Sequence, residues 1–124
     1  MLCSAAMSRR VEKPWGHEEI WAETDRYVGK ILAIRKGHRL SLQYHEVKDE
    51  TLLVISGKLG LELENDRGEL ERLELDPGAS RRVIAGRKHR FEALEDCELI
   101  EVSTPELEDV VRLEDDYGRS GQGG

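Results

Sequence analysis

Short runs in which apolar and polar residues alternate, or in which several apolar residues follow one another, cover the chain from residue 18 onward. They fall at residues 18–22, 28–34, 40–44, 52–55, 59–63, 70–75, 82–84, 90–94 and 98–103, with a further run at 110–113. Their length and their content of Leu, Ile and Val predict β-strands. Leu59, Leu61 and Leu63 alternate with Gly60, Glu62 and Glu64, which predicts one buried and one solvated sheet face. Gly57, Asn65 to Gly68, Asp76 to Gly78 and Glu95 with Asp96 separate the runs, as expected where turns need permissive or self-bonding residues. Residues 104–109 read as a turn or one short helix capped by Thr104, and no stretch carries a long helical period. The pattern predicts an all-β fold whose short antiparallel strands close into a sandwich or barrel.

A length of 124 residues sets the expectation of one domain with one core and one site. The expected division is a flexible leader over residues 1–11, the folded domain over 12–119 and a flexible tail over 120–124. A net charge of -7, with Lys and Arg dispersed among acids, argues against a nucleic-acid partner. An anionic ligand would therefore need a local basic pocket. Cys3 and Cys97 make no disulfide framework, which points to a reducing compartment. The opening seven residues lack a charged start and are too short for a signal core or a membrane span. A cytoplasmic protein without a membrane partner follows, and Met7 is an alternative start. Exposed sheet edges make a homodimer the expected assembly.

Within this frame, Gln43, His45, Glu50 and His89 offer ligand atoms for a divalent metal. Gln43 and His45 stand two apart, so on a strand they share a face. Four residues separate Glu50 from His45, and the apolar run after it reads as the returning strand of a hairpin that brings the carboxylate back toward His45. Imidazole, amide oxygen and carboxylate suit one divalent ion, Zn, Mn, Fe, Co or Ni, and ligand softness alone does not choose among them; Zn is the expected ion. His17 and His38 fall outside this spacing and read as structural or surface residues.

The spacing also carries a resemblance. Gly37, Gln43, His45, Glu50 and Gly57, followed by Gly78, Gly86 and His89, resemble the two motifs of the cupin superfamily. Gln43 stands in place of the usual first His, Ile84 in place of Pro and Ala93 in place of Asn. The resemblance implies a double-stranded β-helix, or jelly-roll barrel, with all four ligands on facing inner strands at its mouth. Lys13, Pro14, Trp15 and Gly16, the strand from Leu40 to His45, and the ending Glu114, Asp115, Asp116, Tyr117, Gly118 and Arg119 resemble more narrowly the cupin domain of type II phosphomannose isomerases.

That narrower resemblance implies metal-dependent interconversion of mannose 6-phosphate and fructose 6-phosphate through an enediol. It makes Lys30, Lys48 and Arg90 candidates for catalysis, and Lys30, Arg90, Arg112, Tyr117 and Arg119 candidates for binding the sugar phosphate. Thr51 and Leu52 stand where the fused isomerases carry His and Trp, and Lys48 where they carry Arg. The activity of the guanylyltransferase domain often fused to such cupins is not expected of these 124 residues, since no Gly-rich nucleotide signature occurs among them. A non-catalytic cupin that binds a sugar phosphate or nucleotide sugar is the alternative, and an Fe(II) oxygenase a third reading. Trp15 and Trp21 are expected to pack rather than to stack on sugar.

Overall fold

The computed structural model describes residues 8–119 and the backbone of residues 121 and 122. The strands in chain order are β1 (Arg9–Lys13), β2 (Gly16–Glu23), β3 (Val28–Ile34), β4 (Leu42–Tyr44), β5 (Glu50–Ser56), β6 (Leu59–Glu64), β7 (Leu70–Leu75), β8 (Ser80–Val83), β9 (His89–Ala93), β10 (Cys97–Ser103), β11 (Val111–Glu114) and β12 (Gly121–Gln122). They make two antiparallel sheets, β1-β2-β3-β10-β5-β8 and β12-β11-β4-β9-β6-β7. No helix occurs among the described residues. The runs at 28–34 and 70–75 coincide with β3 and β7, and the architecture is the all-β fold that the pattern predicts and the jelly roll that the cupin resemblance implies.

Three local expectations are corrected. Residues 9–11, assigned to the leader, belong to β1 and pair with Ile20, Glu19 and Glu18 of β2, while residues 1–7, including Cys3 and Met7, lie outside the described residues. Residues 121 and 122, assigned to the tail, pair with Arg112 and Val111 of β11. The link from β4 to β5 is not a hairpin: β4 pairs with β9 and β11 in the second sheet, whereas β5 pairs with β10 and β8 in the first. Glu50 thus reaches His45 across the interior instead of along a ladder. Residues 104–109 form turns rather than a helix, with Thr104 Oγ1 accepting from the Asp49 N–H at 3.0 Å.

Parity along the strands divides the interior into a dry end and a polar end. On β3 the inward positions are Val28, Lys30, Leu32 and Ile34, and on β10 they are Cys97, Leu99, Glu101 and Ser103. Register sets Leu99 opposite Leu32 and Glu101 opposite Lys30. In the second sheet Ala93 faces Leu59, Phe91 faces Leu61 and His89 faces Leu63. Leu32, Ile34, Leu52, Val54, Leu59, Leu61, Phe91 and Leu99 form the apolar core with Trp15, whose removal from water supplies the main stabilisation. The ionisable residues gather at the other end of the same strands.

Gly16 is required by close approach: a Cβ there would lie 1.9 Å from the Ala33 carbonyl oxygen. It lets β2 start tight against β3 while Trp15 turns into the core. Trp21, at a bulge in β2, lays its ring over Gly29 on the outer face. Trp15 is thus part of the core while also lining a cavity, and Trp21 stays half exposed.

Candidate metal centre and its cavity

His45 follows β4, Glu50 opens β5 and His89 opens β9, and all three are buried. One ligand atom from each lies within 4.8 Å of the others. His45 Nε2 is 2.7 Å from Glu50 Oε1, and His89 Nε2 is 3.7 Å from the same oxygen. The tautomers are fixed by chemistry. His45 Nδ1 sits 2.5 Å from the Asp109 carbonyl oxygen and His89 Nδ1 2.9 Å from that of Arg87, and a carbonyl can only accept, so each Nδ1 carries the hydrogen. Each Nε2 then turns a lone pair inward, the arrangement in which second contacts orient metal-ligating histidines.

His45 Nε2, Glu50 Oε1 and His89 Nε2 have no hydrogen-bond partner. Buried polar atoms are normally satisfied, and two acceptors 2.7 Å apart repel unless a cation stands between them. Burial raises the Glu50 carboxyl, but its neighbours, the Lys48 ammonium among them, outweigh it and hold the group well below the usual carboxylate range. Burial pushes His89 down, toward the neutral imidazole that a metal needs. Two neutral imidazoles and a carboxylate fit a divalent transition ion. Gln43 lies directly opposite His89 on the ladder and lines the same cavity, with its Oε1 accepting from Ser41 Oγ at 2.8 Å.

His45 and Glu50 open onto a cavity of about 430 Å³, within the usual range for small-molecule sites. Its wall on the first sheet is ionic. Lys48 Nζ lies 3.3 Å from Glu101 Oε2 and 3.9 Å from Glu50 Oε1, while Lys30 Nζ lies 3.4 Å from Glu18 Oε1. Burial, with Glu50 close by, pushes the Glu101 carboxyl up to about 7. Lys48 goes up despite its burial because Glu101 and Glu50 favour its charge. At the rim, burial lowers Lys13, and Lys30, Arg119 and Arg112 lower it further by like-charge crowding. Six Lys or Arg and five Glu face this cavity in a chain of net charge -7, so the local balance is positive where the whole is negative.

Of the residues singled out in the sequence, Gln43, His45, Glu50, Lys30, Lys48, Arg112 and Arg119 line the cavity, with His89 buried beside His45 and Glu50. Arg90 does not. Its inward neighbours are His89 and Phe91, and its guanidinium donates to the Leu40 carbonyl at 2.9 Å and pairs with Glu114 and Asp116 at 3.5 and 3.6 Å. Tyr117 also points elsewhere, its hydroxyl 2.7 Å from His38 Nδ1, so it latches the C-terminal segment onto the barrel. Asp115 holds the Arg119 guanidinium through two contacts of 3.0 Å. Thr51 alternates to the outer face, opposite Arg82, and Leu52 is core. The residue type directly after Glu50 therefore does not reach the cavity.

Sequence reasoning missed Lys13, Glu18 and Glu101. Parity held the signal for the last two: Glu101 continues the inward series Cys97, Leu99, and Glu18 shares parity with buried Ile20.

Comparison with known proteins now places the chain. The family described as mannose-6-phosphate isomerase C-terminal matches residues 3–115. The chain belongs to that family. It is 35% identical over 121 residues to the xanthan biosynthesis protein XanB of Xanthomonas campestris pv. campestris, covering 94% of this chain and 25% of that protein. It is 32% identical over 117 residues to a mannose-1-phosphate guanylyltransferase of Escherichia coli, covering 90% and 23%. The chain thus spans about a quarter of the length of these curated relatives.

Among solved structures, KdgF from a Halomonas species aligns with a TM-score of 0.67 and 27% identity over 81% of this chain and 86% of that one. Oxalate decarboxylase of Bacillus subtilis aligns with a TM-score of 0.75 and 14% identity over 86% and 30%, a likeness of fold. These neighbours make the jelly roll a cupin, and the family makes it a sugar-related one. No helix among the described residues is long and apolar enough to cross a membrane.

Proposed function

We propose that the chain is a metal-dependent sugar-phosphate isomerase of the mannose 6-phosphate to fructose 6-phosphate type, acting through an enediol. The observation that carries this reading is the convergence of three unpartnered, buried ligand atoms on a cavity whose wall holds a buried lysine and carboxylate pair and whose rim is cationic. His45, Glu50 and His89 would hold the ion, with Gln43 as the fourth ligand. A bound divalent ion would supply Lewis-acid polarisation of the sugar oxygens.

The chain's own residues account for the rest. Aldose-to-ketose conversion removes a proton from C2, gives one to the carbonyl oxygen at C1, and returns one to C1 as the hydroxyl at C2 loses its own. Glu101 lines the cavity and is placed to take and return the carbon-bound proton. Lys48, between Glu101 and Glu50, sets a fixed positive charge against the developing enediolate. Lys13, Arg112 and Arg119 at the rim, with the buried Lys30 behind them, would receive the phosphate, where a dianion relieves the like-charge crowding on Lys13. Arg90 and Tyr117 leave the substrate set and serve as scaffold.

Incubation of the metal-loaded protein with mannose 6-phosphate in deuterated water tests the reading. Fructose 6-phosphate carrying deuterium at C1 is the expected product. Saturable binding without turnover under Zn, Mn, Co, Ni and Fe would replace it with a sugar-phosphate or nucleotide-sugar binding cupin. Oxygen uptake with Fe(II) alone would replace it with an oxygenase.

A further inference from the structure

Asp109 lies 59 to 64 residues from the segment that carries His45 and Glu50, yet it makes four contacts with that segment through two different groups. Its carboxylate accepts the backbone N–H of Glu46 at 2.9 Å, of Val47 at 2.7 Å and of Lys48 at 2.8 Å. Its carbonyl oxygen accepts from His45 Nδ1 at 2.5 Å. One residue thus gathers three successive N–H groups of the 45–50 crossover, which has no ladder partner along most of its length, and fixes the tautomer of the histidine at its start. Three N–H donors outweigh the cost of burial and hold the Asp109 carboxyl below its usual range.

We propose that Asp109 is a positioning residue of the metal centre, clamping the crossover so that His45 Nε2 and the Glu50 carboxylate meet at one point. The geometry requires such a clamp. His45 follows a strand of one sheet and Glu50 opens a strand of the other, so no ladder sets their separation. The crossover between them is pinned at its far end by Thr104, which accepts the Asp49 N–H and donates its own N–H to the Asp49 carbonyl. Thr104 touches the backbone beside Glu50 and makes no contact with His45. Asp109 is the group that ties the middle of the crossover and the imidazole together. The segment 107–110 that carries it also contributes Leu107, Glu108 and Val110 to the wall of the cavity that His45 and Glu50 line.

The proposal rests on His45 and Glu50 holding a metal, and the test keeps the two claims apart. Full-length apoprotein is titrated with Zn²⁺ against a chromophoric chelator, and with Co²⁺ by its visible absorption. Wild type, Asp109→Ala, Asp109→Asn and Thr104→Val are compared. Nitrogen chemical shifts of the His45 ring are read on the same apoproteins.

Loss of second contacts to a metal ligand costs roughly 10–100-fold in metal affinity. That loss is expected for Asp109→Ala, with a smaller one for Asp109→Asn, which keeps an acceptor oxygen. The acceptor of His45 Nδ1 is the backbone carbonyl of residue 109, which both substitutions keep, so the His45 shifts should stay with the Nδ1–H form and report that the surrounding fold is intact. Thr104→Val should bind metal as wild type does. If Asp109→Ala does not fold, Asp109→Asn carries the test, and a metal affinity and Co²⁺ spectrum equal to wild type would overturn the proposal. Equal losses in Asp109→Asn and Thr104→Val would also overturn it, reducing the effect to general loosening of the crossover. Failure of wild type to bind either ion would instead remove the metal reading.

Discussion

Two buried polar clusters meet at Lys48, and they differ in how their atoms are satisfied. His45, Glu50 and His89 turn lone pairs toward a common point with no donor among them. Glu18 and Lys30, and Glu101 and Lys48, set a carboxyl group against an ammonium at 3.4 and 3.3 Å in two pairs. The first cluster needs a cation from outside the chain, while the second is complete in itself. Burial alone does not identify a metal site; unpartnered acceptors do. The same contrast separates roles, since a self-balanced pair can move a proton without gaining or losing a ligand.

Breaking the second cluster should cost the most stability. Lys48→Met would strand Glu50 and Glu101 without their shared cation, and loss of one partner of a buried pair costs about 3–5 kcal/mol. Chemical denaturation of the metal-free protein measures this. Glu50→Gln attacks the first cluster: Zn²⁺ affinity should fall by about 100-fold or more, while the fold should persist because Lys48 still has Glu101. Unchanged metal affinity in that variant would break the comparison. A smaller effect is expected at the rim, where Lys13→Ala should weaken binding of a sugar phosphate by roughly tenfold, as for loss of one charge-assisted contact, and leave Zn²⁺ affinity alone.

The mildest prediction concerns pH. Glu101 has a folded value of about 7, above its ordinary 4.5, so its stabilisation is complete below pH 4.5 and is lost as pH rises through 7. The metal-free wild type should therefore gain melting temperature between pH 7.5 and pH 5 relative to Glu101→Gln. Parallel melting curves across that range would show that Glu101 is not held protonated by its surroundings.

The two clusters were not equally legible in the sequence. Gln43, His45, Glu50 and His89 stood out because ligand types recur at a spacing that links distant strands, and the strand pattern itself was readable because parity is local. Glu101 and Glu18 follow the same inward parity as Leu99 and Ile20, yet an acid on an alternating strand reads as solvated unless parity is traced from the apolar neighbours. Arg90 failed in the opposite way. Its position suggested ligand contact, whereas the C-terminal segment folds back and supplies Glu114 and Asp116 as partners. Asp109 left no signal, because its partners are backbone N–H groups that every sequence contains. The crossover was misread as a hairpin because two apolar runs separated by a short polar stretch look the same whether they pair with each other or enter different sheets.

The central claim is that the unpartnered acceptors form a metal site, and anomalous diffraction from crystals of the Zn²⁺-loaded protein tests it most directly. The account predicts one ion per chain bound by His45 Nε2, His89 Nε2 and a Glu50 carboxylate oxygen at roughly 2.0–2.2 Å. A Zn²⁺ ion found elsewhere, or His45 and Glu50 joined by a proton at full Zn²⁺ saturation, would contradict it.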